Sequence, residues 1–115
     1  MQMKYTSNLR VIVKNSIKDE LSSKIDKALS ELGCFIIEER ICKEYWKDKS
    51  CFEIVYQFEK SEIRLSDWKS LFENVFGSYS LDSDDVFTQL EHFDSLANEK
   101  CLFAVLNIPN ALILK

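Results

Sequence analysis

An α+β fold built on an antiparallel sheet is the class this chain predicts, and three features predict it. Two amphipathic stretches each run from a serine to a glycine. A strictly alternating apolar segment lies between them, and further strand-like runs stand near both ends. At 115 residues the chain has the usual size of one domain, so residues 1–115 are read as a single unit. Hydrophobic residues make up 46% and charged residues 30%, a globular balance rather than a disordered one.

The first strand is Leu9–Lys14, rich in β-branched residues. Asn15 and Ser16 break it, and Ser16 is placed to cap a helix with Asp19 and Glu20 in its first turn, where the helix dipole favours acids. Ile17, Leu21, Ile25, Ala28, Leu29 and Leu32 recur at helical spacing, and Gly33 stops the helix by supplying a left-handed residue. A second strand is predicted over roughly Cys34–Tyr45, with Lys47–Ser50 as the turn after it. In the third strand Phe52, Ile54, Tyr56 and Phe58 face one way and Glu53, Gln57 and Glu59 the other, the mark of a sheet with one buried face.

Ser66 is placed to cap a second helix carrying Trp68, Leu71, Phe72, Val75 and Phe76, which Gly77 ends. A last strand over Cys101–Asn107 completes a βαββαβ, ferredoxin-like sandwich, with both helices on one face of the sheet. Residues of about 78–100 form an insertion before that strand. With Ser83 as cap and Val86, Phe87, Leu90, Phe93 and Ala97 on one side, a helix over 84–97 is expected. A strand over Asp85–Phe93 fits less well, because both alternating faces mix apolar and polar residues. Pro109 and Asn110 suit a turn, followed by a short strand or packed tail.

No continuous apolar stretch resembles a signal peptide or a membrane span, since Asn107, Pro109 and Asn110 interrupt the apolar C-terminal run. A cytoplasmic protein is the expectation. The cysteines, Cys34, Cys42, Cys51 and Cys101, lack the paired spacing of a zinc site and are read as reduced thiols. No metal or other cofactor is expected. Both glycines serve as helix stops, which leaves none for a phosphate-cradling loop. His92, the one histidine, stands beside Glu91 with no nucleophile in a local motif, and no catalytic residue is assigned.

Charge is the strongest functional signal. From Ser78 to Glu99 there are six acids (Asp82, Asp84, Asp85, Glu91, Asp94 and Glu99) and no lysine or arginine, so the net charge of −4 originates in the insertion. On a helix, Asp84 and Glu91 would share one solvent stripe. Such a surface repels nucleic acid and draws a basic protein; the alternative is a solvated acidic face with Asp84 and Asp85 complementing a helix dipole. RNA binding through the sheet is disfavoured, because the third strand lacks the glycine of RNA-recognition domains and carries Glu53 and Glu59.

A small acidic α+β domain with these residues on an insertion resembles the immunity proteins of bacterial toxin systems, of the contact-dependent growth inhibition or nuclease bacteriocin type. The resemblance implies a non-enzymatic inhibitor whose acids mimic substrate phosphates and shield the basic active site of a cognate toxin domain. Asp82, Asp84, Asp85, Glu91 and Asp94 would supply the acids, and Tyr79 or Phe87 an aromatic anchor. The competing expectation is a ligand-sensing or regulatory ferredoxin-like domain that forms a homodimer by pairing the exposed edge of its C-terminal strand.

Overall fold

The computed structural model describes residues 6–36, 41–59, 63–93 and 101–113. In chain order the elements are β1 (Ser7–Lys14), α1 (Lys18–Glu31), β2 (Phe35–Ile36), β3 (Ile41–Tyr45), β4 (Asp48–Glu59), α2 (Leu65–Phe76), β5 (Ser80–Ser83), β6 (Phe87–Phe93) and β7 (Cys101–Pro109). The strands form one sheet in the spatial order β2–β4–β1–β7–β6–β5, with β3 pairing β4 along the same edge as β2. Every strand pairing is antiparallel. The α+β class with two helices is therefore as expected, but the chain order is not βαββαβ: β5 and β6 intervene between α2 and the last strand.

The insertion is thus a hairpin, not the helix expected over 84–97; its residues 94–100 lie outside the described residues. The mixed faces that argued against a strand have a physical explanation. Thr88, Leu90 and His92 form the buried row of β6, and the two polar members are hydrogen-bonded rather than exposed. Thr88 Oγ1 donates to Asn110 Oδ1 at 2.6 Å, and His92 Nδ1 donates to the Ser78 carbonyl at 3.0 Å. Buried polar groups satisfied in this way remove the solvation penalty that alternation normally reports.

Both glycines do what their positions predict. Gly33 has φ 76°, its N–H bonds Ser30 O, and the Cys34 N–H reaches Leu29 O at 3.0 Å, a Schellman closure of α1. Gly77 has φ 95°, and its N–H meets the carbonyls of Phe72 and Glu73. The serine caps are corrected. Asn15–Ile17 is a 3₁₀ turn containing Ser16, and the cap residue of α1 is Ile17; Ser66 lies inside α2, which starts from Arg64. Neither helix start has a side-chain cap, so tertiary packing of the apolar stripes holds them in place.

Register explains the core. Leu9, Val11 and Val13 of β1 stand opposite Tyr56, Ile54 and Phe52 of β4, while Leu9 and Val11 also meet Leu106 and Ala104 of β7. This row packs under Leu21, Ile25 and Leu29 of α1 and Trp68, Leu71 and Phe72 of α2. Burying such a side chain contributes roughly 1.5–3 kcal/mol relative to leaving it in water. Phe58 and Trp68 stack with centroids 5.2 Å apart, both fully buried. Ser22 of α1 and Tyr56 of β4 join their hydroxyls at 3.3 Å inside the core.

The predicted turn at Lys47–Ser50 is tighter in the structure: Trp46 and Lys47 make it, and β4 already begins at Asp48. Near the C-terminus Asn110–Leu112 is a 3₁₀ turn, and Ile113 then bridges Ile63. The last strand does not present an open edge. β7 runs between β1 and β6, so the edge pairing that motivated dimerisation through it is already filled within the chain. No described helix is long and apolar enough to cross a membrane.

Candidate functional site

The β5–β6 hairpin carries most of the residues singled out by charge, and its turn is held from two sides. Asp84 accepts the backbone N–H groups of Val86 and Phe87 on Oδ1, at 2.8 and 2.7 Å, and its own N–H donates to Phe87 O at 2.9 Å. Asn110, arriving from the end of β7, donates from Nδ2 to the Asp84 carbonyl and from its backbone N–H to the Val86 carbonyl, each at 2.8 Å. A short polar side chain that mimics a backbone turn is a common way to fix such a corner. The Phe87 and Val86 amides hold the Asp84 carboxyl below the usual aspartate range, because they bond its charged form.

This geometry divides the predicted acids. Asp84 spends its carboxylate on its own turn. Asp85 sits at the exposed tip and Asp82 on the exposed strand β5. Glu91 is half-buried in β6, opposite Ser80 on one side and Val105 on the other. Four strand steps separate it from Phe87, roughly 13 Å, so the helical stripe joining Asp84 to Glu91 does not exist. By register Asp82 and Glu91 do share one face of the sheet, the face away from the helices. Tyr79 is half-buried and packs against the core, which makes it a packing residue rather than an exposed anchor. Asp94 lies outside the described residues.

Exposed apolar side chains at the same corner were not singled out by charge. Val86 is 60% exposed and Phe87 40%, on a turn that fixes their backbone. Beside them lies an open cleft of about 420 Å³, walled by Thr6, Asp85, Val86, Phe87, Pro109, Asn110 and Ala111. Phe87 stood among the expected anchors, whereas Val86 did not. The available signal was an apolar pair directly after an acidic run, a pattern that an isolated hairpin tip leaves in water. A second exposed aromatic, Trp46, tops the β3–β4 turn at 78% exposure.

The remaining polar clusters read as structural. His92 is buried, stacks on Phe76 at 5.7 Å and ties β6 to the chain leaving α2. Glu53, buried on the face away from the helices, accepts Arg10 Nε at 2.5 Å and faces Lys43 Nζ at 3.4 Å. Burial pushes its carboxyl up, but the hydrogen bond and charge of Arg10, with those of Lys43, outweigh this and hold it below the usual glutamate range. The cleft between α1 and α2, about 410 Å³, sets Lys24 and Lys27 against Glu31 and Asp67, so its charges offset one another. Among the described residues no three His, Cys, Asp or Glu side chains cluster closely enough to hold a metal.

Comparisons with protein-family models, with curated proteins and with solved structures give no match to this chain.

Proposed function

We propose that this chain is a non-enzymatic protein-binding domain, an immunity protein whose β5–β6 hairpin engages a basic surface of a cognate bacterial toxin. One observation carries the reading. An exposed apolar pair, Val86 and Phe87, stands on a hydrogen-bonded turn flanked by Asp82 and Asp85, two carboxylates with no partner among the described residues. Interfaces of this kind place an apolar anchor at the centre and charge at the rim, where charge governs the rate of encounter. Fold supports the same reading at a finer level. The run β3–β4–β1–β7, with α1 and α2 on one face, fits a ferredoxin-like core to which the β5–β6 hairpin is added as a separate binding module.

Affinity capture from the native cytoplasm, or with the product of the adjacent gene, tests the proposal. The wild-type chain should retain a cationic toxin domain, and Val86→Glu with Phe87→Ser should lose it. Asp82→Lys with Asp85→Lys should slow association at least about tenfold at low salt and less at high salt. Equal retention by all three proteins would exclude the hairpin as the binding surface.

A further inference from the structure

The two exposed apolar tips sit at opposite corners of one sheet. Trp46 tops the hairpin on the β3 edge, at the end where Lys14 pairs with Cys51. Val86 tops the hairpin on the β5 edge, at the other end, where Phe87 pairs with Pro109. No intramolecular contact can therefore bring them together. Their chemistry is complementary. Trp46 is 78% exposed, with the Lys47 ammonium 5.0 Å from its ring centre and Tyr45 packed beside it at 6.3 Å. Lys47 and Lys49 are both exposed next to it, as is Glu44, and Asp48 stands between the two lysines in the chain. The opposite corner presents a cleft lined by Val86, Phe87, Pro109 and Ala111 together with Asp85, in a stretch with no lysine or arginine from Ser78 to Glu99.

We propose that the Trp46 tip of one copy of this chain seats in the cleft beside Val86 and Phe87 of a second copy. The cleft, about 420 Å³, falls within the size range of small-ligand pockets and is large enough to admit an indole. An indole buried there needs an acceptor for its N–H, and the Asp85 carboxylate at the rim offers one. Lys47 and Lys49 then come to lie against Asp82 and Asp85. Because donor tip and acceptor cleft are different surfaces at opposite corners, the contact is head-to-tail, and it extends into chains instead of closing as a two-fold dimer. One side chain and a short rim make a small interface, so the association is weak and salt-sensitive. It uses the hairpin corner proposed above for a toxin, but it is tested on the purified chain alone and stands or falls without any toxin.

Sedimentation velocity from about 10 μM to about 1 mM protein reads the association directly. The weight-average sedimentation coefficient should rise steadily past the dimer value and fall back in high salt. Trp46→Ala and Val86→Glu should each weaken association at least about tenfold. Both positions are largely exposed, so far-ultraviolet circular dichroism should be unchanged in each. Mixing is the decisive measurement. Trp46→Ala keeps an intact cleft and Val86→Glu an intact tip, so an equimolar mixture should form a discrete one-to-one complex and nothing longer. A wild-type chain that stays monomeric throughout, a Trp46→Ala chain that associates like wild type, or a mixture that remains monomeric would overturn the proposal.

Discussion

The two flanks of the central strands are built on different principles. On the β4 side the row facing the helices is Phe52, Ile54, Tyr56 and Phe58, held by apolar burial and by the stack of Phe58 on Trp68. On the β6 side the corresponding row is Thr88, Leu90 and His92, held by hydrogen bonds to Asn110 and Ser78 and by the stack of His92 on Phe76. The first flank resists deformation because packing loss is costly everywhere along it. The second depends on a few directional bonds, each of which fixes one corner of the hairpin that carries Val86 and Phe87. The binding role proposed for this hairpin would draw on that positional control more than on bulk stability.

If this contrast holds, the largest losses of stability belong to the β4 flank. Trp68→Ala and Phe58→Ala should each cost about 3–5 kcal/mol in denaturant unfolding. Trp68→Phe should cost less, about 1–2 kcal/mol, because the buried indole Nε1 of Trp68 has no hydrogen-bond partner among the described residues and only ring volume is lost. A Trp68→Phe loss as large as that of the alanine variant would show that the indole is bonded after all. On the β6 flank, His92→Phe keeps a ring against Phe76 but abandons the Ser78 carbonyl, an expected loss of about 1–2 kcal/mol.

Asn110→Ala deletes the bonds to Thr88 Oγ1 and to the Asp84 carbonyl while sparing its backbone bond to Val86. Its global cost should be about 1–2 kcal/mol, but amide exchange near Val86 and Phe87 should accelerate far more than exchange in β4. Uniform acceleration across the sheet would erase the distinction between the flanks. The smallest effects are electrostatic. Glu53 has a depressed carboxyl pKa in the fold, so its contribution is present above the ordinary value of 4.5 and disappears as pH falls through the folded value. With Arg10 and Lys43 both substantially exposed, Glu53→Gln should remove about 1 kcal/mol or less at neutral pH and flatten stability in that acid window. Asp84 follows the same sign below its ordinary 3.8, read by the Val86 and Phe87 amide resonances moving together as its carboxyl protonates.

The same contrast governs what could be read from the amino acids alone. Gly33 and Gly77 were legible because a positive φ after an apolar helical stripe has few other occupants, and the 52–58 alternation was legible because every residue of its inward row is aromatic or aliphatic. Ser16 and Ser66 misled because each helix begins under tertiary packing that needs no side-chain cap. The hairpin was missed because Thr88 and His92 are buried through partners distant in sequence, Asn110 and Ser78, which periodicity does not sense. Charge singled out the stretch of chain that forms the β5–β6 hairpin, but not how its side chains are used within the fold. Asp84 proved to be a turn element, Tyr79 a packing residue, and the exposed apolar pair beside them emerged only from the fold.

Asn110 also sets an order of events. The turn that displays Val86 is closed by a residue 26 positions further along the chain, and β1 has to wait for residues 101–107 before its second side is paired. During synthesis, the hairpin therefore acquires its final shape only once β7 has been made and docked. A chain still in production can carry its helices and the β1–β4 pair while the corner proposed for partner binding is still unformed.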